Sequence, residues 1–158
     1  MIRGETPMRR KDKEQTETAF LESVLREAGE VCLALNTGAA PYAVFVNFIY
    51  RDKALFVHSA PEGHKIDLLR ADPRVGFTLA ADVEVQPERS TTLYRSVSGW
   101  GVASLVEDPA EREAVFAGLA AKYRAACQSP VPESLSRRTA VLRIAVESMT
   151  GKHSRKKS

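Results

Sequence analysis

Between Val31 and Ser59 the chain reads VCLALN, TGAAP, YAVFVNFIY, RDK and ALFVHS. The three apolar segments (31–36, 42–50 and 54–59) are rich in β-branched and aromatic residues and read as strands. Their links, TGAAP and RDK, suit tight turns and are far shorter than the crossover of a dozen or more residues that a parallel pair needs. The spacing therefore predicts an antiparallel meander.

Three further strands are expected at RVGFTLA (74–80), YRSVSGWGVASLV (94–106) and TAVLRIAVES (139–148). Gly99 and Gly101 inside the second of these predict a bend or a close approach by another group. Phe20, Leu21, Val24, Leu25 and Ala28 share one face of a helix over 16–30, which Gly29 is placed to end. A short helix is expected over 66–71. A longer one starts at DPAE, with Asp108 as cap, Pro109 at the first helical position and Glu111 completing a capping box. Val115, Leu119, Tyr123 and Ala126 continue its inner face. Residues 82–92, polar and containing Pro87, read as a loop or irregular edge, and 128–138 as a loop. Six strands joined mostly by turns, with three helices, predict a β-dominated α+β fold. A small antiparallel barrel flanked by helices fits this pattern better than a doubly wound parallel sheet.

The chain has 158 residues, enough for one domain with a real core, placed at 8–154 with loose tails at 1–7 and 155–158. The net charge of +3 is concentrated in RRKDK (9–13) and RKKS (155–158), read as solvated ends. The middle of the chain has no basic stripe interleaved with aromatics, so no nucleic-acid partner is expected. No apolar run approaches the ~20 residues that span a membrane, and the N-terminus lacks the apolar core of a secretory signal. A cytoplasmic location follows as an expectation. Cys32, within VCLAL, reads as a small buried hydrophobe, and neither it nor Cys127 belongs to a C-x-x-C pair.

Several common sites fail on spacing. GWGVAS (99–104) lacks the third glycine of a dinucleotide fingerprint and lies inside a strand. The chain has neither a phosphate-binding G-x-x-x-x-G-K-[ST] loop nor a G-x-S-x-G elbow. His58 and His64 do not form H-E-x-x-H, and no metal site is expected. The segment that stands out is LFVHSAPEGHKIDLL (55–69), where two of the three histidines and a lysine lie between a strand and a helix. Gly63 allows a sharp turn, and the amides from Gly63 to Ile66 would point out of the first helical turn. Lys65 adds a charge and His64 a donor, which together suit a phosphate. The alternative is a plain strand-to-helix corner with a solvated lysine. His58 likewise is either held by a backbone hydrogen bond or used chemically, and Trp100 either fills the core or reaches toward a ligand.

MRRKDKE, PYAVFVNFIY, LFVHSAPEGHKIDLLRADPRV, YRSVSGWGVASLVED and ESMTGKHS, in that order from about Met8 to Ser154, resemble the nitroimidazole-resistance (Nim-like) proteins. These are a branch of the pyridoxamine 5′-phosphate oxidase-like, FMN-binding split-barrel superfamily. The resemblance implies a six-stranded antiparallel split β-barrel, a homodimer, and FMN in clefts at the dimer interface. It places Lys65 and His64 at the FMN phosphate. Val46, Asn47 and Phe48 would lie along the flavin ring, largely through backbone groups. His58 and Ser59 would pass close to the flavin, and Ser96 would supply a polar contact. It further implies electron transfer from NAD(P)H through FMN to a small acceptor, such as a nitro compound, with His58 as proton donor. Relatives often carry a cysteine shortly before YRS, whereas this chain reads STTLYRS. Other members of the superfamily imply two alternatives: haem binding or degradation, with His58 or His153 as ligand, and a non-catalytic flavin-binding module.

Overall fold

The structure, a computed structural model, describes residues 8–123 and 132–154. The tails at 1–7 and 155–158, together with Ala126, Cys127 and the start of the 128–138 loop, lie outside the described residues. Among the described residues, eight strands form one antiparallel sheet: β1 (Glu14–Gln15), β2 (Val31–Leu35), β3 (Tyr42–Val46), β4 (Phe48–Arg51), β5 (Ala54–Ser59), β6 (Arg74–Gln86), β7 (Thr91–Leu105) and β8 (Ala140–Ser154). Four α-helices accompany them: α1 (Thr18–Glu27), α2 (His64–Ala71), α3 (Pro109–Tyr123) and α4 (Glu133–Arg137). The last of these occupies part of the segment expected to be a loop.

The strand order is β3-β2-β6-β7-β8-β5-β4, with β1 added against β8. This splits the expected meander, whose two antiparallel pairings, β2 with β3 and β4 with β5, are both present. Residues 42–50 are not one strand, because Asn47 separates β3 from β4, and these two occupy opposite edges of the sheet. One residue can join two opposite edges only if the sheet curls round until they meet. The result is a barrel left open along one seam, a split β-barrel. The count is eight strands, not six, because 42–50 divides in two and Glu14–Gln15 pairs with Lys152 and Gly151 of β8.

The sequence alternates accordingly. Val31, Leu33 and Leu35 of β2, Val75, Phe77 and Leu79 of β6, and Leu55 and Val57 of β5 point into the barrel. Leu21, Val24 and Leu25 of α1 plug it. The opposite face of β4, β5 and β8 forms a second core, where Ala54, Phe56 and Val141 pack under Val115, Phe116 and Leu119 of α3. Asp108 caps that helix as expected, its carboxylate accepting from the Glu111 amide at 2.7 Å. The Arg112 guanidinium donates to the Val106, Ser136 and Thr139 carbonyls and so pins α3 to the start of β8.

Residues 82–92 are not a loop. β6 and β7 continue as a hairpin arm beyond a bulge at Asp82, closed by a single helical turn over Pro87–Arg89. Arg95 accounts for part of this, since its guanidinium pairs with Asp82 and with Glu27 of α1. β8 also runs six residues past the expected end, because its far half pairs with β7 across a register shift at Trp100–Gly101. The close approach expected at the glycines is present. An added Cβ would overlap the Ser148 carbonyl oxygen at Gly99 and the Ala145 carbonyl oxygen at Gly101.

Candidate functional site

Residues 55–71 build the candidate site. β5 alternates, with Leu55 and Val57 facing into the barrel and Phe56 and His58 facing out. His58 therefore reaches the sheet surface where the strand ends. The chain then turns at Gly63, whose φ of +119° is a conformation that residues with side chains rarely adopt. α2 starts at His64, two residues earlier than expected, so His64 and Lys65 are themselves first-turn residues. The Gly63 carbonyl accepts from the Ile66 amide at 2.9 Å and from the Asp67 amide at 3.1 Å. The His64 and Lys65 amides precede these bonds and have no acceptor within the helix.

Side chains complete the arrangement. The Tyr42 ring meets the His64 imidazole edge-on, with centroids 5.0 Å apart. Lys65 is half-buried, and burial lowers its pKa. Burial also lowers the pKa of His58, and the nearby Lys65 charge lowers it further. Both effects favour the neutral form of His58, and an anion beside it would favour the charged form again. Among the described residues, no carboxylate pairs with Lys65, and Glu62 is exposed. Two amides without a helical acceptor beside a half-buried lysine are an arrangement that can hold an anion.

β4 lies beside this cluster, since Phe48 pairs with Val57 of β5. Val46 is half-buried against the barrel core and Asn47 is exposed at the corner. The Phe48 side chain is wholly buried, and the Lys122 Nζ lies 3.6 Å from its ring centroid. The Phe48 side chain is thus closed to a ligand, and its amide already donates to the Tyr123 hydroxyl at 2.9 Å. Ser59 continues from His58 at the end of β5.

Ser96 stands apart from this group. It sits on the outer face of β7 between Ala80 and Lys152. Its strand is three places from β3, about 14 Å at ~4.8 Å per strand. Trp100 does not fill the core. It is half-buried on the outer face, where it lines a hollow of about 270 Å³ with Ala34, Asn36, Arg74 and Gly76. Cys32 also lies on that face, between Phe45 and Thr78, rather than in the core. His153 packs against Phe20 of α1 with ring centroids 5.6 Å apart.

Sequence reasoning missed Tyr42 and Tyr123 as parts of this region. The spacing of Tyr123 from Leu119 signalled an inward position but carried no information about its hydroxyl.

A family profile described as pyridoxamine 5'-phosphate oxidase matches residues 17–153. Among curated proteins none matches. Similar solved structures include a candidate 5-nitroimidazole antibiotic resistance protein from Bacteroides thetaiotaomicron. It is 24% identical, with a TM-score of 0.77, over 88% of this chain and 85% of that one. An FAD-binding protein from Mesorhizobium loti is 24% identical with a TM-score of 0.70, over 89% and 96%. The flavocytochrome Anf3 from Azotobacter vinelandii is 15% identical with a TM-score of 0.78, over 94% and 72%. At these identities the likeness concerns the fold. Among the described residues, no helix is long and apolar enough to cross a membrane.

Proposed function

This chain belongs to the pyridoxamine 5'-phosphate oxidase family, and we propose that within it the protein is an FMN-dependent oxidoreductase passing electrons from a nicotinamide donor to a small acceptor. The supporting observation is the start of α2, where the amides of His64 and Lys65 have no acceptor within the helix and the half-buried Lys65 has no carboxylate partner among the described residues. Lys65 and the two amides hold the phosphate, and His64, edge-on to Tyr42, donates from the side. Backbone groups at Val46, Asn47 and Phe48 line the ring, with His58 and Ser59 at its margin. FMN, when bound, supplies the two-electron chemistry. His58 takes up a proton once an anion offsets the Lys65 charge, and delivers it to the acceptor.

Ser96, about 14 Å across the sheet from β3, fits a site shared between two copies better than one confined to a single chain. The outer face of β3, β2, β6 and β7 suits that pairing. Phe45, Val83 and Val85 stand 68%, 63% and 67% exposed on it. A homodimer is therefore part of the proposal. A nitro compound as acceptor is consistent with the description of the Bacteroides structure.

The test is an anaerobic absorption spectrum of the FMN-loaded protein before and after addition of NADH or NADPH. Bleaching of the flavin bands, reversed by a nitroaromatic acceptor, is the expected result. Flavin that binds but stays oxidised would support a non-catalytic flavin module. A Soret band with no flavin spectrum would favour the haem reading, a ligand class named for the Mycobacterium smegmatis FAD and heme binding protein of the same fold.

A further inference from the structure

The barrel's seam leaves β4 with an unpaired edge at Phe48, because the strand at the opposite edge, β3, ends at Val46. A backbone amide there lacks the ladder partner that a closed barrel would supply, and a buried amide left unpaired is costly. Tyr123, the last described residue of α3, stands in for the missing strand. Its hydroxyl accepts from the Phe48 amide at 2.9 Å and lies 2.6 Å from the Gly29 carbonyl and 3.1 Å from the Phe48 carbonyl. A phenol has one proton, which goes to the nearer oxygen, that of Gly29. Gly29 leads into β2, the strand beside β3, so one hydroxyl ties the β4 lip of the seam and the start of β2 to α3. Burial pushes the Tyr123 hydroxyl pKa up and keeps that proton in place. The Lys122 stem and Nζ cover the Phe48 ring on the same helix end.

We infer that Tyr123 is a positioning residue for the flavin site: its hydroxyl sets the Val46–Phe48 corner and thereby the width of the cleft along which the ring would lie. This rests on the cofactor reading above, but the seam geometry does not, so the two can fail separately. Residues 46–48 connect the sheet's two edges directly, and Asn47 at their centre is exposed. Without the hydroxyl, the Phe48 amide would turn to water and the corner would open. The phosphate grip at His64 and Lys65 would be unaffected.

The experiment compares wild type, Tyr123→Phe and Lys122→Met by residue-resolved amide exchange without added flavin, followed by titration with FMN. In wild type the Phe48 amide should be protected. In Tyr123→Phe it should exchange at least ~10-fold faster, while Leu55 and Val57 of β5 keep their protection. In Lys122→Met, where the hydroxyl is intact, Phe48 should stay protected. FMN affinity should fall roughly tenfold in Tyr123→Phe, and the absorption bands of the bound flavin should shift. Fast exchange of Phe48 in wild type would overturn the inference even if Tyr123→Phe failed to fold. Unchanged exchange in a folded Tyr123→Phe would also overturn it, as would faster exchange with FMN affinity and spectrum unaltered. If wild type binds no FMN, the cofactor reading falls and the positioning role with it, while the exchange data still decide whether the hydroxyl closes the seam.

Discussion

Lys65 and His58 are two basic groups placed near each other, and burial opposes the charge on both. That arrangement costs stability unless an anion shares the site, and it gives a pH signature. A lysine whose folded pKa is depressed releases its proton before the unfolded chain does. Between its folded value and the usual ~10.4, the unfolded state binds more protons, so Lys65's contribution to stability rises with pH. FMN affinity should move the opposite way, falling over the same window as the charge that holds the phosphate is lost. Thermal unfolding and FMN titration at several alkaline pH values, each read as the difference between wild type and Lys65→Met, should therefore give opposite slopes. Slopes of the same sign would contradict the assignment. The residue types at this site were legible in the sequence because two histidines, a glycine and a lysine between a strand and a helix narrow the choices. The downward pull on the His58 pKa was not legible, since it depends on burial and on the nearby Lys65 charge.

Among the elements, β7 and β8 are the spine of the barrel, and their crossing depends on two glycines. Gly101→Ala would drive a methyl into the Ala145 carbonyl, a backbone group that cannot swing aside. Overpacking of this kind costs typically about 1–3 kcal/mol, and contact with backbone belongs at the upper end. A fall in Tm of at least ~5 °C by calorimetry is expected. A Tm within a degree or so of wild type would mean that the two strands stand further apart at Gly101 than their pairing implies. The glycines' role was readable because a strand position without a side chain packs nothing itself and makes room for a neighbour. The break at Asn47 was not readable. YAVFVNFIY has the composition of one uninterrupted strand, and only the global strand order requires β3 and β4 to part. The arm at 82–93 escapes a sequence reading for the opposite reason: Asp, Glu, Gln and Pro argue against a strand locally, but the hairpin is held by its register and by Arg95.

For the whole molecule, the question is what covers the outer face of β3, β2, β6 and β7. α3 covers the outer face of β4, β5 and β8, and the apolar face of α1 plugs the barrel. Exposed apolar side chains on one face are what the proposed two-fold dimer would bury. Val83→Asp combined with Val85→Asp, two exposed positions on the arm, should convert a dimer to a monomer in sedimentation equilibrium without unfolding it. A wild-type protein that sediments as a monomer would remove the shared-site reading of Ser96. The split barrel as a class was legible from short links and strand composition together with the resemblance. The extra strands were not, because they arise from edges and ends whose pairing partners are distant in sequence.

Everything proposed for the cofactor depends on the start of α2 gripping a flavin phosphate, and a four-way titration decides that: FMN and riboflavin, each against wild type and Lys65→Met. Riboflavin has the ring without the phosphate. Lys65→Met should weaken FMN roughly 10- to 100-fold, as expected for loss of a charge-assisted contact of about 1.5–3 kcal/mol, and leave riboflavin affinity nearly unchanged. Equal losses for both ligands, or no loss for either, would contradict the phosphate grip.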